Sequence, residues 1–165
     1  MKLRGFKSMK RTKALDILEK AKIPHEVREF KAAEFTVEET AEALRLPLNS
    51  LFKTLVAEGE RKGLVMALVP GDAQLSLSKL AKAMGDKRVE MIDVEDLFRI
   101  TGYLKGGCSP LGAKRNFPVF MDEDALLHDR VSVSAGLRGV QMLLAPADLQ
   151  RITNAIIIDL KDETR

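Results

Sequence analysis

The chain has 165 residues, of which 45% are hydrophobic and 31% charged, and its formal net charge is +3. This composition supplies a core for one domain and excludes a disordered or collagen-like protein, and no apolar run approaches the roughly 20 residues of a membrane-spanning helix. One cysteine and two histidines allow no intrachain disulfide and no zinc-ligand spacing. We therefore expect one cytosolic domain over residues 1–165, without a metal or other cofactor.

Basic residues are concentrated near the N-terminus, at positions 2, 4, 7, 10, 11, 13, 20 and 22. Such a cluster suits a polyanionic partner, and it equally suits the solvated face of a helix. Because Met9 is a second candidate start, residues 1–8 are interpreted as a candidate N-terminal extension.

Caps, breakers and apolar spacing predict the elements in chain order. The first half predicts a helix from Thr12 that ends before Pro24, a helix from Thr36 with a capping box to Glu39, strands over 54–57 and 63–69, and a helix from Ser76 or Ser78 to Gly85. The second half predicts a strand over 89–92, a helix from Asp93 to Gly102, a strand end at 103–104, strands over 117–121, 130–134 and 140–144, a helix from Pro146 and a strand over 155–160. Two pairs of strands are too close in sequence for helical crossovers, so the sheet should be mixed.

Two glycine-rich segments are candidate ligand loops. Gly102, Gly106, Gly107 and Gly112 surround Pro110, and residues 133–139 combine small residues with an arginine. Such loops can approach a ligand closely and present amide donors, although each is also typical of an ordinary loop.

The usual nucleophiles are poorly supported. Residues 107–111 approach the pattern of a nucleophile elbow, but Leu111 stands where its second glycine belongs, and neither His25 nor His128 is marked as a partner base. This argues against a serine hydrolase. Cys108 could be a reactive thiol or a small apolar residue.

Lys53 places a cation at the start of an apolar strand. Its stem could lie along apolar surface with the amine in water. Alternatively, its ammonium could contact a phosphate or a developing oxyanion.

Four segments together resemble the YbaK/EbsC family, and most closely its Cys-tRNA(Pro) deacylase branch. They are Phe-Lys-Thr-Leu at 52–55, the 79–91 region, the loop Gly-Gly-Cys-Ser-Pro-Leu-Gly at 106–112 and the loop Ser-Ala-Gly-Leu-Arg-Gly at 134–139. The agreement extends from about residue 12 to residue 159.

The resemblance implies a mixed α/β fold with a distorted barrel-like sheet of about six or seven strands surrounded by helices, related to the editing domain of bacterial prolyl-tRNA synthetases. It implies a trans-editing enzyme that removes cysteine from mischarged tRNA(Pro), with aminoacyl-tRNA as its partner and prolyl-tRNA synthetase as a candidate second partner. The implied catalytic residues are Lys53, Gly106, Gly107 and Ser109, and the implied substrate-binding residues are Pro110, Gly112, Ser134, Gly136 and Arg138.

The family's chemistry needs no protein nucleophile, because the substrate's own thiol is thought to attack its ester and form a cyclic thiolactone. Relatives commonly have an aliphatic residue at the position of Cys108, which implies a packing role for this cysteine. Loop amides at 106–109 would hold the carbonyl oxygen, and Lys53 would fix the terminal adenosine or its phosphate. Three alternatives stay open: a water-activating deacylase for another small amino acid such as alanine, a non-catalytic aminoacyl-tRNA or synthetase-binding module, and a thiol enzyme using Cys108.

Overall fold

A computed structural model describes residues 10–163. In this range five helices, α1 to α5, span Lys13–Lys20, Val37–Leu44, Leu77–Met84, Val94–Thr101 and Pro146–Thr153. Eight strands, β1 to β8, span Glu26–Glu29, Phe52–Gly59, Gly63–Pro70, Val89–Met91, Val119–Asp122, Val131–Leu137, Val140–Leu144 and Ile156–Ile158. Short 3₁₀ helices span Leu48–Ser50 and Glu123–Leu127. The candidate N-terminal extension lies outside the described residues.

The strands form two sheets. One has the order β1-β7-β6 and is antiparallel, and the other has the order β4-β2-β3-β5-β8. In the second sheet β2 pairs antiparallel with β3 and β4, whereas β5 pairs parallel with β3 and β8. A bridge between Leu51 and Ser132 connects the two sheets. The predicted mixed α/β class is confirmed, and the described strands do not close into a barrel.

The helices begin where the sequence carries capping side chains. The hydroxyl of Thr12 accepts from the Leu15 N–H at 3.1 Å, and Thr36 and Glu39 form the predicted capping box of α2. These bonds satisfy N–H groups that have no partner within the helix. Ser76, rather than Ser78, caps α3, and Asp93 occupies the N-cap of α4 without a side-chain capping bond.

The structure differs from the sequence predictions in two places. Strand β1 was not predicted, because Glu26–Glu29 is mostly charged and becomes a strand through its pairing with β7. Tyr103 and Leu104, predicted as a strand end, lie in a loop. The Tyr103 hydroxyl donates to the Leu111 carbonyl, so this segment folds back on its own loop instead of entering a sheet.

The core occupies both faces of the five-stranded sheet. Met66 and Leu68 of β3 belong to a large cluster shared with the other sheet and α1, and Val65 and Ala67 belong to a smaller cluster with α3. Successive residues of a strand point to opposite faces, so a strand buried on both sides is apolar throughout. Strand β3 follows this pattern, since all its residues from Val65 to Pro70 are buried. No helix within residues 10–163 has the length and apolar character needed to cross a membrane.

Candidate active site

A cavity of about 420 Å³ lies where the two sheets meet. Six parts of the chain form its wall: the loop and first turn of α2, the start of β2, the segment from β4 into α4, the two glycine-rich loops, and β7. The lining residues are 34–38, 40, 51–56, 91, 92, 94, 97, 105, 106, 108, 134 and 141. Of the nine predicted site residues, the structure brings Lys53, Gly106 and Ser134 together in this wall.

Part of the cavity wall is an edge of strand β2. Six consecutive residues, 51–56, line the cavity, although side chains of a strand alternate between faces. The cavity therefore runs along the strand edge. Strand β4 pairs only with Ala57–Gly59 of β2, and the Leu51–Ser132 bridge lies just before β2 begins, so the stretch of this edge between them has no partner strand among residues 10–163. Backbone groups of β2 can thus contribute hydrogen bonds to a bound ligand.

Lys53 carries its charge into the cavity wall. Its Nζ donates to the Ala73 carbonyl at 2.7 Å, and no carboxylate within residues 10–163 forms an ion pair with it. Burial lowers the pKa of Lys53, an effect that the charges of Glu38 and Asp72 partly oppose. An ammonium has three N–H donors, so this cation retains capacity for a ligand.

Gly106 is required by the local geometry of its loop. Its φ of +88° lies in the left-handed region, and a Cβ added there would lie 3.0 Å from the Cβ of Phe35. Only glycine adopts this conformation without strain and at this contact distance. The loop therefore packs directly on the segment before α2, and the two segments form adjoining parts of the wall.

The two predicted loops contact each other. The Arg138 Nε donates to the Lys105 carbonyl at 2.8 Å, and a Cβ added at Gly107 would lie 3.0 Å from the backbone nitrogen of Arg138. The Ser134 hydroxyl accepts from the Gly136 N–H at 3.1 Å, which orders the turn of the second loop. The predicted loops thus form one unit.

Six predicted site residues lie outside the cavity wall: Gly107, Ser109, Pro110, Gly112, Gly136 and Arg138. The structure gives several of them supporting contacts. Ser109 is fully buried and its hydroxyl accepts from the Leu111 N–H at 3.3 Å. Gly112 and Gly136 both lie against the side chain of Tyr103, where an added Cβ would come within 3.0 Å of it. These contacts hold the two glycine-rich loops together outside the cavity wall.

Within residues 10–163, neither the cysteine nor a histidine supplies the cavity with an activated nucleophile. Cys108 lines it, but burial raises the pKa of this thiol to about 12, so it is protonated at neutral pH. His25 contacts the Ile23 carbonyl through Nδ1, and His128 packs its ring against Phe52; neither lines the cavity. Within residues 10–163 no group of three or more His, Cys, Asp or Glu side chains could hold a metal ion.

Sequence reasoning missed the apolar wall opposite the glycine-rich loop. Met91, Ile92, Val94 and Leu97 line the cavity, and in the sequence they are typical of an ordinary strand and helix packed in a core. The sequence does carry one signal, because residues 91–100 contain more apolar side chains than one face of a helix can bury. Val94 accordingly remains 61% exposed.

A cavity that holds the cation of Lys53 beside a glycine-rich loop, and in which neither Cys108 nor a described histidine is an activated nucleophile, suits a substrate that is already activated for reaction. The sequence profile of the aminoacyl-tRNA editing domain matches residues 31–152. The chain belongs to this family.

Named relatives support this assignment. The chain is 43% identical over 150 residues to a protein of Enterococcus faecalis with the provisional name Cys-tRNA(Pro)/Cys-tRNA(Cys) deacylase EbsC, covering 90% of this chain and 92% of the relative. It is 41% identical over 80 residues to a proline–tRNA ligase of Thermosipho africanus, covering 48% of this chain and 14% of the ligase. A crystal structure provisionally described as a trans-editing enzyme for prolyl tRNA synthetase superposes with a TM-score of 0.83 at 28% identity, covering 93% of this chain and 99% of that one.

Proposed function

We propose that this chain is a trans-editing deacylase that removes cysteine mischarged on tRNA(Pro). The observation that carries the proposal is the cavity itself, which combines Lys53 with the wall at Gly106 and Ser134 and holds no activated nucleophile. The similarity to EbsC, whose name specifies cysteine on tRNA(Pro) and tRNA(Cys), supports the choice of substrate.

The reaction needs little from the protein besides positioning. The sulfur of the substrate cysteine attacks its own ester carbonyl carbon, the bond from that carbon to the ribose oxygen breaks, and the thiol proton passes to the ribose oxygen. The products are a cyclic cysteine thiolactone and tRNA with a free terminal hydroxyl. An intramolecular attack of this kind gains a large effective molarity once the thiol is held in the right rotamer.

The lining residues have distinct proposed roles. Lys53 binds the terminal adenosine or its phosphate with the donors that Ala73 leaves free. Amides of the loop at 106–109 stabilise the negative charge that develops on the carbonyl oxygen. The cavity volume of about 420 Å³ is within the range of small-molecule sites, roughly 300 to 1,000 Å³.

The function has further consequences for partners and location. We propose tRNA(Pro) as the cognate tRNA and prolyl-tRNA synthetase as a candidate supplier of the mischarged substrate, which the similarity to the proline–tRNA ligase supports. The reaction then takes place in the cytosol, where the lone thiol of Cys108 would stay reduced.

The direct test is a deacylation panel with Cys-, Ser-, Ala- and Pro-tRNA(Pro), each compared with spontaneous ester decay. We expect cysteine to be released at least about 100-fold faster than serine, because serine differs in lacking the nucleophilic sulfur. Equal rates for Cys- and Ser-tRNA would contradict the substrate-thiol mechanism, and fastest release of alanine would indicate a water-activating deacylase. If the protein accelerates the decay of none of these esters, only the alternative of a non-catalytic binding module remains.

Cys108→Ala is the matched control for the thiol-enzyme alternative. We expect this variant to deacylate Cys-tRNA within about twofold of the wild-type rate, because the thiol is buried and protonated. Loss of turnover in this variant would instead assign the nucleophile to the protein.

A further inference from the structure

A second depression, of about 440 Å³, lies beside the candidate active site. Helix α4 and the loop that follows it separate the two. Val94 and Leu97 of α4 line the cavity, whereas Phe98 lines the depression. The following loop is divided in the same way, since Gly106 lines the cavity and Tyr103 lines the depression. The cavity and the depression therefore share a wall, which places the depression next to the candidate active site.

The depression is basic. Among residues 10–163, its lining includes Arg11, Lys13 and Lys114 and no carboxylate. The Arg11 guanidinium is engaged by Asp16 at 2.7 Å and by Glu19 at 3.5 Å. Lys13 and Lys114 form no ion pair within residues 10–163, and both are exposed, so their charges are available to an anion.

An aromatic ring accompanies these charges. Phe98 is 56% exposed although it is a large apolar residue. The Lys114 Nζ lies 5.7 Å from the centre of the Phe98 ring and donates to the Arg99 carbonyl at 3.2 Å. Cationic side chains beside an exposed aromatic ring suit a single-stranded nucleic acid, whose bases stack while its phosphates pair with the cations. A duplex keeps its bases stacked internally and would leave the ring unused.

We propose that the depression binds the single-stranded 3′ segment of the aminoacyl-tRNA, next to the terminal aminoacyl nucleotide held in the cavity. Lys13 and Lys114 bind its phosphates, and Phe98 stacks with one of its bases. The kinetic part of this inference rests on the proposed function, because it assumes that the terminal ester occupies the cavity. RNA binding to the depression does not need the ester to be cleaved.

The first experiment measures binding without catalysis. A fluorescently labelled single-stranded RNA ending in adenosine is titrated by anisotropy with wild type, Lys114→Glu, Phe98→Ala and the matched control Lys82→Glu. Lys82 is exposed on α3 and lines neither pocket. We expect Kd to rise about tenfold for both depression variants and to change less than twofold for the control. For Lys114→Glu, the slope of log affinity against log salt should flatten by about 0.7 for each lost phosphate contact.

The second experiment separates tRNA contacts from chemistry. Deacylation of Cys-tRNA(Pro) is compared with deacylation of cysteine esterified to adenosine alone. We expect Lys114→Glu and Phe98→Ala to raise KM for the tRNA about tenfold with little change in kcat, so that the rate ratio of tRNA to adenosine ester falls.

Three results would overturn the proposal: unchanged RNA affinity in both depression variants, an equal loss in Lys82→Glu, or binding of duplex RNA as tight as that of the single strand. If wild type cleaves neither ester, the proposed function fails while the anisotropy result still decides whether the depression binds RNA.

Discussion

Lys53 and Lys161 are both partly buried lysines, yet their surroundings are opposite. The Lys161 side chain is 23% exposed, and its Nζ lies 3.1 Å from Asp122, 3.2 Å from Asp159 and 3.4 Å from Asp124. Burial acts to lower the pKa of Lys161, but hydrogen bonds to Asp122 and Asp159 outweigh it and the pKa is raised. Lys53 has one carbonyl partner, and burial lowers its pKa.

The difference separates a structural cation from one that suits a ligand. Lys161 compensates Asp122, a fully buried carboxylate that also accepts from the N–H groups of Asp124 and Leu160. The carboxylates around Lys161 already compensate its charge, so this lysine is not suited to bind a further anion. Lys53 is desolvated without a carboxylate partner, so a bound anion would improve its electrostatic environment. This contrast predicts that the two lysines affect different measurable properties.

The largest effect is expected for Lys53→Met. Methionine keeps the apolar character of the stem and removes the charge, so deacylation should slow by about 100-fold or more, because the terminal nucleotide loses its anchor and the ester is misplaced. The free energy of unfolding should change by less than about 1 kcal/mol, because losing the bond to Ala73 is offset by relieving the buried charge. Single-turnover kinetics and urea unfolding measure the two quantities. If Lys53→Met lost much of its stability but kept normal activity, Lys53 would be a structural cation and not a ligand-binding one.

Lys161→Met should give the complementary result. Asp122 would be left buried without a cation, and we expect unfolding to become easier by about 2 to 3 kcal/mol. The deacylation rate per folded molecule should stay within about twofold, because Lys161 does not line the cavity. Lys82→Met, an exposed-site control, should change stability by less than about 0.5 kcal/mol. Unchanged urea unfolding of Lys161→Met would contradict a structural role.

Asp159→Asn should produce the smallest effect, and the effect should depend on pH. Hydrogen bonds from Lys79 and from Lys161 lower the pKa of Asp159 from 3.8 to about 2. A carboxyl whose folded pKa is depressed stabilises the protein above its unfolded pKa, and this contribution disappears as the pH falls through the folded value. Because the side chain is one-third exposed, we expect the variant to be less stable by about 0.5 to 1 kcal/mol at pH 7. Urea unfolding at pH 7, 4 and 2 should show the two proteins converging; a constant difference would exclude this linkage.

Features that depend on local chemistry were predictable from the sequence. Thr12, Thr36 and Ser76 cap their helices because each capping bond joins residues three positions apart. Features that depend on tertiary pairing were not predictable. Strand β1 has a charged sequence and owes its conformation to β7, which lies more than 100 residues away.

The candidate site shows the same division. Lys53 and the glycine-rich loops stand out because a cation in an apolar strand and clustered glycines are unusual in themselves. The wall from Met91 to Leu97 does not stand out, because these residues line the cavity only through the tertiary placement of β4 and α4. The roles of the nine predicted site residues stay predictions until the substitutions are made.

Tyr103 provides a means of observing the loops directly. The chain contains one tyrosine and no tryptophan. Its hydroxyl bonds the first glycine-rich loop at Leu111, and its ring lies against Gly136 of the second. Tyrosine emission of the unlabelled protein therefore originates from a single ring located between the two loops, with no indole to mask it. A change in that emission upon addition of RNA or an adenosine ester would report the rearrangement of the loops in real time.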